Sequence, residues 1–131
     1  MRRVLAFGTF DTLHPGHLDF FRQARMHGGH LTVVVARDET ASQVKGRQPV
    51  HSEQERLAAV KQAGVDEAVL GHHGDKYRVI LEHNPDVICL GYDQQAFTEN
   101  LEAFLKEHDM KTVIVRLQPF HPETYKSSLL R

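Results

Sequence analysis

Two histidines set three residues apart, His14 and His17, carry the strongest chemical signal in the sequence. They lie in Gly8-Thr9-Phe10-Asp11-Thr12-Leu13-His14-Pro15-Gly16-His17, which runs from the end of an apolar stretch into a segment with helical spacing. Pro15 stands where a first helical turn tolerates proline. A helix N-terminus offers unpaired N–H donors and a partial positive charge, so it attracts phosphate. Gly16 lets a phosphate come close to the backbone. Two imidazoles beside such a terminus can donate to phosphate oxygens as negative charge builds up in a transition state. From the spacing alone the pair could also ligate a metal, or be a cap and a surface side chain.

Composition narrows the setting. The chain has 131 residues, 40% hydrophobic and 25% charged, which fits one globular domain and excludes disordered or collagen-like architectures. Lys+Arg 16 against Asp+Glu 17 gives a net charge of -1, which argues against a broad nucleic-acid-binding surface. No stretch approaches the roughly 20 apolar residues that cross a bilayer. Met1-Arg2-Arg3 leads into an apolar run too short for a signal peptide, so a cytoplasmic location is expected. One cysteine, Cys89, rules out an intramolecular disulfide and reads as a buried thiol. Ten histidines raise the question of metal. No His-Glu-x-x-His or comparable ligand spacing occurs, and His72-His73 read as part of a solvated loop.

The elements that must position the histidines alternate. Val4 to Phe7, ending at Gly8, suits a strand buried on both faces. A helix is predicted from Gly16 to His27, with Leu18, Phe21, Ala24 and Arg25 at helical spacing and Gly28-Gly29 as its stop. Leu31 to Ala36 is the second strand. Arg37 to His51 has weak periodicity and reads as a long connection, which in a compact domain points to function. Ser52 and Glu55 form a capping box for a helix running to Ala63 and ended by Gly64. Glu67 to Leu70, Val87 to Leu90 and Thr112 to Val115 supply three further strands. Lys76 to His83, stopped by Asn84-Pro85, and Phe97 to His108 supply helices. This order predicts an α/β fold: a Rossmann-like, doubly wound, five-stranded parallel sheet in a single domain over residues 1–131. Ligands of such sheets bind beyond the carboxyl ends of the strands. Gly8 to His17, Arg37 to Arg47, Gly91 to Gln94 and Pro119 to Ser128 all follow strands.

His14-Pro15-Gly16-His17 after a glycine-ended strand resembles the signature of the nucleotidyltransferase superfamily that includes the cytidylyltransferases. The resemblance spans nearly the whole chain. Within the superfamily the chain is most similar to the short archaeal-type FAD synthases, which transfer the AMP of ATP onto FMN and release diphosphate. The residues favouring that branch are Val35-Ala36-Arg37-Asp38-Glu39-Thr40, Lys45-Gly46-Arg47-Gln48-Pro49 and Leu90-Gly91-Tyr92-Asp93-Gln94. The alternative is a glycerol-3-phosphate cytidylyltransferase, making CDP-glycerol from CTP, or a relative acting on another small phosphate ester.

The resemblance implies roles residue by residue. His14 and His17 contact the nucleotide phosphates and stabilise the transition state, and Lys45 is a catalytic phosphate-binding lysine on a loop. Thr9 and Phe10 lie where backbone N–H groups meet the α-phosphate. Gly91, Tyr92, Asp93 and Gln94 frame the base, and Asp38 and Arg47 stand on the acceptor side. Asp11 either orients the site, helps to hold Mg²⁺, or bonds its own backbone as a turn residue. Arg56 is a weaker cationic candidate or a helix-surface ion-pair partner. Many relatives carry an Arg-Thr-Glu-Gly run near the C-terminus. Here the stretch is His121-Pro122-Glu123-Thr124-Tyr125-Lys126-Ser127-Ser128, with His121 in the arginine position, a looser form that fits the FAD synthase branch better. Lys126, Ser127 and Ser128 are assigned to the nucleotide, the serines as a cap donating to a β- or γ-phosphate. Mg²⁺ is expected to ride on the triphosphate, with no metal ligand assigned in the protein. Neither nucleic acid nor membrane is an expected partner, and the resemblance implies a homodimer.

Overall fold

Successive side chains of a strand point to opposite faces, and the first strand is apolar on both. In β1 (Arg3–Gly8), Val4 and Ala6 enter one core while Leu5 and Phe7 enter another. Such a strand is stable only inside a sheet covered on two sides. The computed structural model places it there. It describes residues 2–73, 75, 77–91 and 100–118, apart from the side chains of residues 43–45.

Four more parallel strands complete the sheet: β2 (His30–Val35), β3 (Glu67–Leu70), β4 (Val87–Leu90) and β5 (Val113–Arg116), in the order β3-β2-β1-β4-β5. Two helices, α1 (Pro15–Arg25) and α3 (Glu53–Lys61), cover one face through Phe21, Ala24 and Val60. Two others, α4 (Arg78–His83) and α5 (Leu101–Glu107), cover the opposite face through Val79, Ile80, Leu101 and Leu105. Each fully buried aliphatic side chain contributes about 1.5–3 kcal/mol. The chain steps outward from β1 to β3, then returns to lay β4 beside β1. The strand order therefore reverses between β1 and β4, and Gly8 and Gly91 border the crevice where such sheets bind ligands. No helix among the described residues is long and apolar enough to cross a membrane.

The connection from Arg37 to His51 is not irregular throughout: α2 occupies Asp38–Lys45, so Lys45 sits in a last helical turn rather than on a loop. Its N-cap, Arg37, makes no side-chain cap bond. The missing acceptor is Glu53, fifteen residues beyond Asp38, whose carboxylate takes the Asp38 N–H at 2.8 Å. Gly46 closes the helix in the left-handed region (φ 75°), where a Cβ would be strained. In α1, Phe21 and Ala24 are buried and Leu18 is exposed.

Cys89 is fully buried in β4, and loss of solvation pushes its thiol up to about 12. We expect the native protein to resist a thiol reagent such as dithionitrobenzoate at pH 8, and one thiol per chain to react in denaturant. Rapid labelling of the folded protein would contradict this burial.

Candidate active site at the carboxyl end of the sheet

His14 is the N-cap of α1, with extended backbone at φ -143°. Its Nδ1 accepts the Gly16 N–H at 3.0 Å. An accepting Nδ1 leaves the ring hydrogen of the neutral imidazole on Nε2, so His14 presents a donor. The His14 carbonyl takes the N–H groups of His17 (2.9 Å) and Leu18 (3.2 Å). The first-turn backbone donors, expected from the sequence to grip phosphate, are thus already used within the turn. What the turn offers an anion is its partial positive charge and its imidazoles. Those rings stack, with centroids 4.0 Å apart and planes 26° from parallel.

Phe10 backs the pair. Its ring meets His17 edge-on at 5.4 Å and packs against Phe21 at 5.2 Å. Its own backbone is left-handed (φ 54°), a conformation that non-glycine residues seldom adopt and that concentrates at functional sites. The ring folds back over Gly8, where any Cβ would lie 2.5 Å from its tip. Gly8 is therefore required by the ring that supports His17.

Asp11 ties this turn to the segment leading into α3. Its carboxylate accepts the N–H groups of Val50 and His51, each at 2.8 Å. The Nδ1–H of His51 donates to the Asp11 carbonyl at 2.5 Å. These bonds join the turn after β1 to the start of α3. Those two N–H groups hold the Asp11 carboxyl below the usual range, that of His51 having the larger effect. Glu53 is also held low, first by the Asp38 N–H and next, against some opposing burial, by Arg37 at 2.9 Å.

Arg56 is not on the helix surface. It is 1% exposed and donates to the carbonyls of Thr9 (2.8 Å), Ala36 (2.8 Å) and His51 (3.1 Å) and to the Asp38 carboxylate (2.6 Å). Two arginines act alike at other strand ends. Arg37 donates to the carbonyl of Gly71 beyond β3 at 2.7 Å, and Arg116 to that of Gly91 beyond β4 at 2.8 Å. No sequence motif marks Arg37 or Arg116 for this task. An arginine near a strand end is the only local signal, and it does not separate these positions from surface ones.

Thr9, Phe10, Asp11, His14, His17 and Gly91 therefore gather where the strand order reverses, with Asp38 beside them through Arg56. Arg47 is exposed just beyond α2. The Lys45 side chain, Tyr92, Asp93, Gln94, His121, Lys126, Ser127 and Ser128 lie outside the described residues. Elsewhere, His72 Nε2 pairs with Glu82 at 2.7 Å and His108 Nδ1 donates to the Phe104 carbonyl at 2.9 Å. Among the described residues no group of three or more His, Cys, Asp or Glu is placed to hold a metal ion.

The cytidylyltransferase-like family matches residues 5–131. The chain belongs to that family. Among its cytidylyltransferase-like relatives, the FAD synthase of Methanococcoides burtonii is 48% identical over 119 residues, covering 89% of this chain and 81% of the relative. The FAD synthase of Thermoplasma volcanium is 39% identical over 132 residues, covering 100% and 92%. A solved structure from Thermoplasma volcanium, described as a lipopolysaccharide core biosynthesis protein, superposes with a TM-score of 0.85. It is 40% identical and covers 92% of this chain and 98% of its own.

A carboxylate whose folded pKa is depressed contributes stability that is complete above its unfolded pKa and is lost as pH falls through the folded value. Asp11 and Glu53 both have this sign. Thermal melts should show the largest gap between wild type and Asp11→Asn above about pH 5, shrinking as the pH drops below about 4. A gap that stays constant down to pH 2 would mean that the Asp11 charge plays no part.

Proposed function

We propose that the protein is an FMN adenylyltransferase, forming FAD and diphosphate from ATP and FMN. The similarity to FAD synthases over most of the chain carries this reading. It also favours FMN over glycerol 3-phosphate as acceptor.

The site geometry suits the chemistry. An oxygen of the FMN phosphate attacks the α-phosphorus of ATP in line, the bond from that phosphorus to the bridging oxygen breaks, and diphosphate leaves. The protein need only place the two phosphates and meet the charge that develops between them. His14 Nε2–H and the stacked His17 face that charge at the positive end of α1. Phe10 holds His17 from behind, and Asp11 fixes the turn to the segment before α3. In this reading Lys45, Lys126, Ser127 and Ser128 address the triphosphate, Gly91, Tyr92, Asp93 and Gln94 the adenine, and Asp38 and Arg47 the acceptor. Both Asp11 carboxylate oxygens already accept backbone N–H groups, which suits a divalent ion carried chiefly by substrate phosphates. Mg²⁺ bound there would supply further charge neutralisation. The reaction is assigned to the cytoplasm and the assembly, on the resemblance, to a homodimer.

The test is to incubate the purified protein with ATP, Mg²⁺ and FMN, and in parallel with CTP and glycerol 3-phosphate, identifying products by mass spectrometry. FAD with diphosphate is the expected outcome; CDP-glycerol alone would overturn the reading. His14→Ala and His17→Ala should each lower kcat by about 10² or more, the scale of losing one donor to a developing charge. Near-normal turnover by either folded variant would remove that histidine from the chemistry.

A further inference from the structure

Arg56 touches neither substrate in the proposed function, yet its contacts join the exits of β1 and β2, the start of α2 and the approach to α3. The last paired residues of β1 and β2 are Gly8 and Val35, and the last backbone bond between these strands runs from the Ala36 N–H to the Gly8 carbonyl at 2.9 Å. Beyond it stand two carbonyls, Thr9 and Ala36. A single guanidinium nitrogen, Nη1 of Arg56, donates to both at 2.8 Å. That nitrogen acts as an extra rung after the ladder ends. Nη2 reaches the Asp38 carboxylate at 2.6 Å and Nε reaches the His51 carbonyl at 3.1 Å, so the same side chain also locates the start of α2 and the approach to α3.

We propose that Arg56 is a positioning residue: its buried guanidinium sets the spacing between the exits of β1 and β2, and so the alignment of the two reacting phosphates. The inference rests on the function proposed above, which places the nucleotide on the His14–His17 turn after β1 and the acceptor by Asp38 after β2. Arginine suits the task because its planar fork directs several donors at once. Lysine offers one nitrogen and can replace at most the rung. A misplacement of about 1 Å is enough to cost roughly 10² in rate when two reactants must meet in line. Each substrate bound alone is not subject to that demand.

The expected signature is therefore a loss of turnover with binary affinities retained. In Arg56→Met, kcat for FAD formation should fall by about tenfold to 10², while the Kd values for ATP alone and FMN alone, measured by calorimetry, stay within about threefold. Arg56→Lys should lie between Met and wild type, and it carries the test if the Met variant does not fold. Val60→Ala, one turn further along α3 in the core, is the control: it lowers Tm but leaves kcat within about twofold. Turnover in the Arg56 variants matching that control would overturn the proposal. So would a loss of ATP or FMN affinity proportional to the loss of rate, since Arg56 would then act in binding. If the wild-type chain makes no FAD from ATP and FMN, the functional reading fails and the inference falls with it. If wild type makes FAD and the variants are unimpaired, only the inference fails.

Discussion

A parallel sheet that ends at a binding crevice leaves carbonyl oxygens at the exits of its strands, and buried carbonyls need donors. This protein answers them with arginine. Arg56 takes the exits of β1 and β2, Arg37 that of β3 and Arg116 that of β4. A buried guanidinium is itself expensive to desolvate, and it is tolerable only when its donors are met in good geometry. Arg56 meets that condition with three carbonyls and one carboxylate. The site segments inherit their positions from these bonds, because Thr9, Ala36, His51 and Gly91 are the residues from which the functional turns depart.

That use of arginine shapes what is left for phosphate. Arg37, Arg56 and Arg116 all donate to backbone carbonyls. Among the described residues, the turn after β1 presents instead the His14 imidazole, whose tautomer is set by Gly16, the His17 ring stacked on it, and the partial positive charge of the α1 terminus. The turn carrying them is braced twice: by Phe10 folded over Gly8, and by Asp11 holding the Val50 and His51 N–H groups. A net charge of -1 does not oppose binding of a triphosphate, because the potential that matters there is local.

The parts legible in the sequence were those with local causes. The apolar runs marked all five strands, Ser52 and Glu55 announced the start of α3, and the capping box forms as read. The His14-Pro15-Gly16-His17 turn could be placed at a helix start because proline, glycine and the strand before it all act within a few residues. What escaped depended on distant partners. The start of α2 is capped by Glu53 from another helix, so no N-cap signal precedes it. Arg56 looked like a surface cation because helical spacing shows only neighbours three or four residues away, whereas its acceptors lie as far as 47 positions back. The internal use of the first-turn N–H groups by His14 was hidden for a related reason. The local backbone path and the direction of one side chain, not residue type, decide it.

His14 acting as its own helix cap has a thermodynamic corollary. The ring is oriented, its hydrogen assigned and its backbone already bonded before any nucleotide arrives. A pre-organised donor loses little rotamer entropy when an anion docks and needs no reorientation as charge shifts during the reaction. Under the function proposed above, the turn is a socket already set, and the enthalpy of seating a triphosphate there should reflect chiefly the exchange of water for imidazole, with little contribution from ordering the protein.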